Sequence, residues 1–300
     1  MQYSRSGERT GRPVPGELAA LLIDDLSGRD TAMPDAQARL AIRYAVASDI
    51  GLNREENEDS AYAGARLLAV ADGLGGHAGG EVASAAAIEA LRPLDTDVPA
   101  GELLSALEHA VQQAGSSLRD LVRADPSLQG MGTTLTAILW SGSQLGLVHI
   151  GDSRAYVLRG GELFQITHDH TMVQSLVDAG RITPEEAASH PYRSLLLRAL
   201  GDGSSEPDLQ LRDALPGDRY LLSSDGLHEV VPAGAIAGVL TGTADPDRAA
   251  RKLIELAIEG GGPDNITAVV ADVVTMDDPA GSGPAGAAPG AADRHGRTAG

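Results

Sequence analysis

Four short apolar segments follow one another between residues 134 and 167, and they constrain the fold more than any other feature of the chain. The connections between them are two or three residues long and contain Gly, Ser or Asp. Such connections are too short for the crossover that parallel strands require, so the sequence predicts an antiparallel meander. The segments are TLTAILW (134–140), QLGLVHI (144–150), RAYVLR (154–159) and ELFQIT (162–167).

Strand-like and helical segments lie in blocks on both sides of this meander. Further strands are predicted at 41–48, 66–72, 219–225 and 266–274. Helices are predicted at 81–91, 102–123, 233–240 and 246–258. The second helix places Leu103, Leu107 and Leu118 on one face, which is typical of a helix that packs on a core. Grouped strands and consecutive helices favour an α+β protein in which two sheets pack together with helices outside.

Composition and charge exclude several classes of protein. The 300-residue chain has a formal net charge of −19, which would repel a nucleic-acid backbone. It has no cysteine, which excludes disulfides, thiolate zinc sites, iron–sulfur clusters and cysteine nucleophiles. No apolar run reaches the roughly 18 residues of a membrane-spanning helix. We therefore expect a cytoplasmic protein with no nucleic-acid partner and no membrane span.

The two ends of the chain differ from its centre. Residues 1–38 are predicted to be a largely disordered extension with one short amphipathic helix at 17–26. Residues 277–300 are a Pro/Gly/Ala tail without apolar periodicity, for which we expect no fixed structure. One folded domain is therefore predicted over residues 39–276.

Five aspartates share one local pattern, because each stands beside a strand-like segment and next to Gly or a small polar residue. A single such aspartate is usually a turn residue or a helix cap. Five of them at strand ends could converge, and carboxylate oxygens are the ligands that Mg²⁺ and Mn²⁺ prefer. Two such ions could activate a water as the nucleophile, with no protein nucleophile needed. The aspartates are Asp59, Asp72, Asp152, Asp225 and Asp264.

Two neighbouring features fit a phosphate site. Arg54 precedes Asp59 by five residues, and a guanidinium can hold two phosphate oxygens at once. Taken alone, Arg54 could equally be a surface arginine. Five glycines fall within the eight positions after Asp72, as expected where the backbone turns tightly or comes close to a ligand.

These segments together resemble the metal-dependent serine/threonine protein phosphatases of type 2C, most closely the compact bacterial members. The resemblance covers about residues 40–275. It implies a four-layer αββα sandwich of two antiparallel sheets flanked by helix pairs, and Mn²⁺ or Mg²⁺ as cofactors, two bound tightly and a third more weakly. The motifs are SDIGLNREENEDS, ADGLGGHAGGEVAS, GMGTTLTAILW, HIGDSRAYVLR, ITHDHT, LLSSDGLHEVV and GGPDNITAVV.

The resemblance also implies roles for individual residues. Asp72 would bridge two metals while Gly73 offers its carbonyl, and Asp225 and Asp264 would complete the shell of the first metal. Glu58 and Asp59 would hold metal-bound waters, and Asp152 with Asp225 would form the third site. Arg54 would clamp the phosphate, Asn265 follows the last ligand as in the family, and residues 170–200 match a flap beside the active site.

The histidines leave the general acid open. Leu74 stands where many eukaryotic relatives have a histidine after Asp-Gly. His77 is a candidate proton donor, although packing at the start of the following helix is the favoured interpretation. His149 is predicted to be a buried strand residue. His168 and His170 flank Asp169, for which a hydrogen-bonded turn is favoured over a metal site.

The expected function is hydrolysis of phosphoserine and phosphothreonine in proteins by a metal-bound water, in opposition to a bacterial Ser/Thr kinase. A monomer is expected. A stress-response phosphatase that acts on a phosphorylated anti-sigma-factor antagonist ranks lower, because such relatives generally lack the Arg-x-x-Asn-Glu-Asp element present at 54–59. A pseudophosphatase that only binds phosphoproteins is disfavoured, since every expected metal carboxylate is present.

Overall fold

A computed structural model describes residues 40–75, 78–201 and 206–276 of the chain. The predicted extension (1–38), its helix at 17–26, the predicted tail (277–300) and the candidate acid His77 lie outside these ranges. The limits of the predicted domain, 39–276, therefore stay predictions.

The described residues contain twelve strands. They are β1 (Leu40–Asp49), β2 (Asp59–Ala63), β3 (Leu67–Leu74), β4 (Gly132–Thr133), β5 (Leu135–Ser141), β6 (Gln144–Ile150), β7 (Arg154–Arg159), β8 (Glu162–Gln165), β9 (Leu200–Gly201), β10 (Asp208–Asp213), β11 (Arg219–Ser223) and β12 (Ile266–Thr275). One sheet has the order β1-β12-β11-β7-β8, and the other has the order β10-β6-β5-β3-β4-β9 with β2 paired to β3. Neighbouring strands are antiparallel throughout, as the short connections predicted.

The described residues contain seven α-helices. They are α1 (Ala78–Leu91), α2 (Leu103–Ala124), α3 (Met172–Asp178), α4 (Pro184–Ala188), α5 (Asp225–His228), α6 (Ala233–Gly242) and α7 (Pro246–Glu259). The pair α1 and α2 covers the seven-stranded sheet, and α6 and α7 cover the five-stranded sheet. The predicted four-layer sandwich is thus confirmed, and the leucine face of α2 is buried as expected.

Alternation along the central strands builds three apolar layers. In β3, Leu67, Ala69 and Ala71 face α1 and α2, whereas Leu68 and Val70 face the other sheet. Both sets are fully buried, as period-2 alternation between two covered faces requires. Between the sheets, Trp140 of β5 meets Tyr220 of β11 edge to face, with ring centroids 5.2 Å apart.

Two predicted elements need correction and four strands were missed. The strand predicted at 219–225 ends at Ser223, because Ser224 is a non-helical cap and Asp225 begins the short helix α5. The strand predicted at 162–167 ends at Gln165. Strands β2, β4, β9 and β10 were not predicted: β4 and β9 have only two residues each, and β2 and β10 are short and begin with an aspartate.

The topology brings the acidic sequence positions to one end of the sandwich. Asp225 follows the end of β11, Asp264 precedes the start of β12, and these two strands pair antiparallel, so both positions lie at the same end. Asp152 follows the end of β6, and Asp59 begins β2, where it pairs directly with Asp72 of β3.

Candidate active site

Asp72 lies where strand β3 changes partner. Residues up to Val70 pair with β5, and Gly73 onward pairs with β4. Thr134, between β4 and β5, bridges the change: its Oγ1 accepts from the Asp72 amide at 3.0 Å, and its own amide donates to the Asp72 carbonyl at 2.8 Å. The backbone of Asp72 is thereby fixed on both sides.

Glycines let three backbone segments approach one another next to Asp72. A Cβ atom on Gly73 would lie 2.3 Å from the Gly80 carbonyl oxygen and 2.7 Å from that of Glu58. A Cβ on Gly80 would lie 2.5 Å from Glu58 Oε2. Glycine is required at Gly73, where a Cβ would meet backbone atoms, whereas at Gly80 the end of the Glu58 side chain would have to shift. This explains part of the glycine cluster without a ligand.

Asp59 is held from the opposite sheet. Ser224 Oγ donates to Asp59 Oδ2 at 2.7 Å, and Thr267 also hydrogen-bonds this carboxylate. The other oxygen, Oδ1, is buried and has no hydrogen-bond partner among the described residues. Asp225 Oδ1 is in the same condition. Buried carboxylate oxygens are costly unless something positive binds them.

Asn265 ties the loop that carries Arg54 and Glu58 to the start of β12. Its Oδ1 accepts from the Glu58 amide at 2.8 Å, and its Nδ2 donates to the carbonyls of Ile50 and Glu56, each at 2.9 Å. Arg54 lies in this loop, and its Nη2 donates to Asp264 Oδ2 at 2.6 Å. The other Asp264 oxygen accepts from the Asn265 amide at 2.8 Å.

Burial and mutual repulsion raise the pKa values of the clustered carboxyls. Burial and then the charges of Asp225 and Asp59 raise the pKa of Asp72 well above its ordinary value. For Asp225, burial comes first and the charge of Asp152 second. Burial raises the pKa of Asp59 to about 6. Groups that raise one another's pKa lie close together, so the electrostatics place these acids in one cluster.

Asp152 lies at the edge of this cluster. It is buried, and burial followed by the charge of Asp169 raises its pKa to about 7. Asp169 itself is bound by Arg154, whose Nη2 and Nε donate to it at 2.6 and 3.0 Å. The Arg154 guanidinium lowers the pKa of Asp169 against the effect of burial.

The donor set fits hard divalent cations. Orphaned carboxylate oxygens on Asp59 and Asp225 and the repulsion among the acids are what a cation would relieve. Among the described residues, no three acidic or histidine side chains stand in a metal-binding cluster as the side chains are placed. Asp264 is the acid whose two oxygens are both hydrogen-bonded, one by Arg54 and the other by the Asn265 amide.

The structure brings the predicted site residues to one place, with one exception that lies outside the described residues. They are Arg54, Glu58, Asp59, Asp72, Gly73, Asp152, Asp225, Asp264 and Asn265, and the exception is His77. Three hydroxyl residues that position the acids were missed: Ser224, Thr267 and Thr134. The repeats SSD and GTT contain Ser224 and Thr134, but no local pattern reveals which distant acid any of the three residues binds.

The predicted interpretations of the other histidines are confirmed. His149 is fully buried in β6, where its Nδ1 meets Thr136 Oγ1 at 2.9 Å. His168 and His170 belong to a hydrogen-bonded turn: His168 pairs with Asp178, and the His170 amide donates to the Gly151 carbonyl at 2.7 Å.

In the part of the chain that the structure describes, no helix has the length and apolar content to cross a membrane.

Comparison with known proteins agrees with this geometry. The family described as protein phosphatase 2C matches residues 53–255. The serine/threonine protein phosphatase PstP of Mycobacterium tuberculosis is 59% identical over 242 residues, which cover 81% of this chain and 47% of that protein. The chain therefore spans about half the length of this curated relative. A protein from Streptococcus pyogenes, described as a putative protein phosphatase 2C-type, is 35% identical over 235 residues, 75% of this chain and 95% of its own length.

A solved structure shares the fold. The catalytic domain of serine threonine protein phosphatase PstP, in complex with two manganese ions, superposes with a TM-score of 0.74 at 58% identity. The match covers 78% of this chain and 99% of that one. A family match over more than half of the chain and relatives well above 30% identity agree with the sandwich and with the acid cluster. The chain therefore belongs to the protein phosphatase 2C family.

Proposed function

We propose that this chain is a metal-dependent phosphatase that hydrolyses phosphoserine and phosphothreonine in proteins. The observation that carries the proposal is the cluster of buried and half-buried carboxylates at one end of the sandwich, with two buried oxygens that have no hydrogen-bond partner among the described residues. The family of the chain and the names of its relatives support the same activity.

The carboxylates are proposed to hold Mn²⁺ or Mg²⁺. Asp72, Asp225 and Asp264 would bind the metals directly together with the Gly73 carbonyl, Glu58 and Asp59 would orient water, and Asp152 with Asp225 would bind a third ion. Two such ions supply Lewis-acid charge for a phosphoryl oxygen and lower the pKa of a bound water. The manganese ions reported with PstP support this cofactor.

Arg54 is proposed to bind the phosphate of the substrate. Its side chain is half exposed, lies at the rim of the acid cluster and points its guanidinium at Asp264. A phosphoryl group near the metals would compete for this guanidinium and draw it away from Asp264. The hydrogen bonds of Asn265 to Ile50 and Glu56, on either side of Arg54, would limit the movement of the loop backbone.

The partners are proposed to be phosphoproteins made by bacterial Ser/Thr kinases. The relatives that support this are bacterial proteins named as serine/threonine phosphatases. A monomeric state and a cytoplasmic location stay predictions from the sequence. The anti-sigma-antagonist alternative still ranks lower, because the 54–59 element is built into the site through Asn265.

The deciding experiment measures hydrolysis of a phosphothreonine peptide with Mn²⁺, with Mg²⁺ and with EDTA. Asp225→Asn should lower turnover roughly a thousandfold or more, because it removes a metal ligand. It should still fold in EDTA, since it removes one of several mutually repelling charges. Asp247→Asn, at an aspartate on the surface of α7, is the matched control and should keep full activity.

Metal-dependent turnover that is lost in EDTA and in Asp225→Asn, but kept in Asp247→Asn, would support the proposal. A folded wild type that binds Mn²⁺ and turns over no phosphopeptide would contradict it. That result would favour the phosphoprotein-binding alternative.

A further inference from the structure

His170 occupies a junction between the predicted flap and the turn that carries Asp152. Its ring is buried, and its Nδ1 accepts from the Gly151 amide at 3.1 Å. Its own amide donates to the Gly151 carbonyl at 2.7 Å. Two reciprocal hydrogen bonds therefore join His170 to the residue directly before Asp152.

Gly151 has no freedom on its other side. It has a φ of +106°, which favours glycine, and an added Cβ would lie 2.6 Å from Thr134 Cγ2. Thr134 is the residue that fixes the backbone of Asp72. The Gly151 backbone is thus clamped between Thr134, which belongs to the centre of the acid cluster, and His170.

The neighbouring residue holds the other side of the turn. Asp169 binds Arg154 through three short N–H···O contacts, and Arg154 follows Asp152 by two positions. His170 is therefore hydrogen-bonded to the residue before Asp152, and Asp169 is hydrogen-bonded to Arg154, two residues after it. The position of the Asp152 carboxylate depends on both contacts.

His170 is also bonded to the segment between α3 and β9. The amide of Leu197 donates to its carbonyl at 2.7 Å, and the next residue, Thr171, forms an isolated bridge with Leu196. Because Nδ1 accepts from Gly151, the proton of the neutral ring lies on Nε2, which faces Asp208 Oδ2 of β10 at 3.2 Å. The backbone and the ring of one residue, His170, therefore join this segment to Gly151.

We propose that His170 is a positioning residue for the weaker metal site at Asp152, with Nδ1 as the atom that matters. This inference rests on the proposed function, since it assigns Asp152 to a metal. The ring would act through the Gly151 turn and would touch neither substrate nor metal. Residues that orient metal ligands typically contribute roughly 10–100-fold to metal affinity.

Two amide variants separate the two ring nitrogens. His170→Asn keeps an acceptor near the Nδ1 position, whereas His170→Gln places its amide near the Nε2 position and leaves the Gly151 amide without an acceptor. Both bury one polar amide, so the variants differ mainly in which ring nitrogen's contact they keep. His168→Asn, at the half-exposed histidine two residues earlier, is the control for a change outside the junction.

The first readout is hydrogen exchange of the Gly151 amide, followed by NMR in EDTA. It should be about tenfold faster in His170→Gln than in His170→Asn, the factor expected for one lost buried hydrogen bond. The second is calorimetric titration with Mn²⁺, in which the weakest site should bind roughly tenfold more weakly in His170→Gln. In turnover, the Mn²⁺ concentration for half-activation should rise while KM for a phosphothreonine peptide stays unchanged.

Neither of the first two readouts needs turnover, so the inference and the proposed function fail separately. If His170→Gln and His170→Asn match in Gly151 exchange and in Mn²⁺ affinity, the positioning role is overturned. If His168→Asn shows the same losses, it is overturned as well. A wild type that binds Mn²⁺ without hydrolysing the peptide contradicts only the proposed function.

Discussion

Charged side chains lie at both ends of the paired strands β11 and β12. The two ends differ in whether the acids there have cationic partners. At one end, which we name the arginine end, each acid has a guanidinium partner. Arg219 lies opposite Asp272 in register and donates to both of its oxygens. Arg159 donates to both oxygens of Asp218. The arginine end consists of Arg43, Arg159, Asp218, Arg219 and Asp272.

At the other end, which we name the acid end, the acids outnumber their cationic partners. Arg54 reaches Asp264, while Asp59 and Asp225 each keep a buried oxygen without a partner among the described residues. The acid end consists of Asp59, Asp72, Asp152, Asp225 and Asp264. Buried charges in ion pairs have a structural role, whereas buried acids that repel one another destabilise the metal-free protein. The second arrangement is typical of sites that bind cations.

The largest expected effect on stability comes from breaking the arginine end. Arg219→Met leaves Asp272 with only the partly exposed Arg43 and strips three backbone carbonyls, those of Leu240, Thr243 and Ala244, of their donor. Removing one partner of a buried pair should lower the free energy of unfolding by about 3–5 kcal/mol. Urea unfolding in EDTA measures this, and turnover per folded molecule should be unchanged.

The double variant Arg219→Met/Asp272→Leu is the control for that experiment. It removes the stranded charge, so it should recover part of the lost stability. Equal stability of the single and double variants would mean that the carbonyl contacts, not the ion pair, dominate at this end.

At the acid end, neutralising a charge should stabilise the metal-free protein, whereas at the arginine end it destabilises it. The dependence of stability on pH tests this. The pKa of Asp152 is raised from 3.8 to about 7 by burial and then by Asp169, so the folded protein binds this proton more readily than the unfolded chain. Stability from this group is therefore complete below about pH 4 and is lost as the pH rises to about 7. Relative to Asp152→Asn, the metal-free wild type should lose about 2–4 kcal/mol over that window.

The comparison with Asp152→Asn is needed because buried histidines act in the opposite direction. Burial lowers the pKa of His149 to about 4 and that of His228 to about 3, so the unfolded chain gains protons below pH 6.5 and stability falls as the pH falls. Both proteins share this effect, and it cancels in the difference. A difference that does not vary with pH would place Asp152 outside the repelling cluster.

The sequence predicts features of these two ends that depend on neighbouring residues, but not contacts between residues far apart in the chain. The acids of the acid end were found because each has a glycine or small polar neighbour at a strand end. The contacts that support them were not. Asn265 was named from the resemblance, but its bond to Ile50 across 215 residues was not predicted, and Ser224, which reaches Asp59 across 165, was missed. Local patterns carry no signal of such pairs.

The same limit explains the misplaced end of β11. The apolar run into SSD suggested a strand to 225, but the backbone turns at Ser224, whose amide bonds the Thr267 carbonyl. Gly226 follows because a Cβ there would lie 2.1 Å from the Asn265 carbonyl oxygen. The turn is thus set by the distant β12, which only the assembled sheet supplies. The central strands, in contrast, were predicted correctly because their alternation is local.

A smaller effect is expected from the arginine at the acid end. Arg54→Lys keeps the charge but loses the planar pair of donors that a phosphate accepts. KM for a phosphothreonine peptide should rise about tenfold, which corresponds to ~1.4 kcal/mol. Calorimetric Mn²⁺ affinity should not fall, because Asp264 loses a competing partner. Arg66→Lys, at a surface arginine paired with the exposed Asp97, is the matched control and should leave KM unchanged.

The smallest effect is expected at a pair whose geometry is as good as that of either end. Arg123 and Asp120 meet at 2.6 Å on α2, the same separation as Arg54 and Asp264, but both side chains are about 70% exposed. Water screens such a pair, so Arg123→Gln should change the free energy of unfolding by less than about 0.5 kcal/mol. Urea unfolding beside Arg219→Met checks this. A loss comparable to that of Arg219→Met would mean that distance, and not burial, decides what a charge contributes here, and the contrast between the two ends would then lose its physical basis.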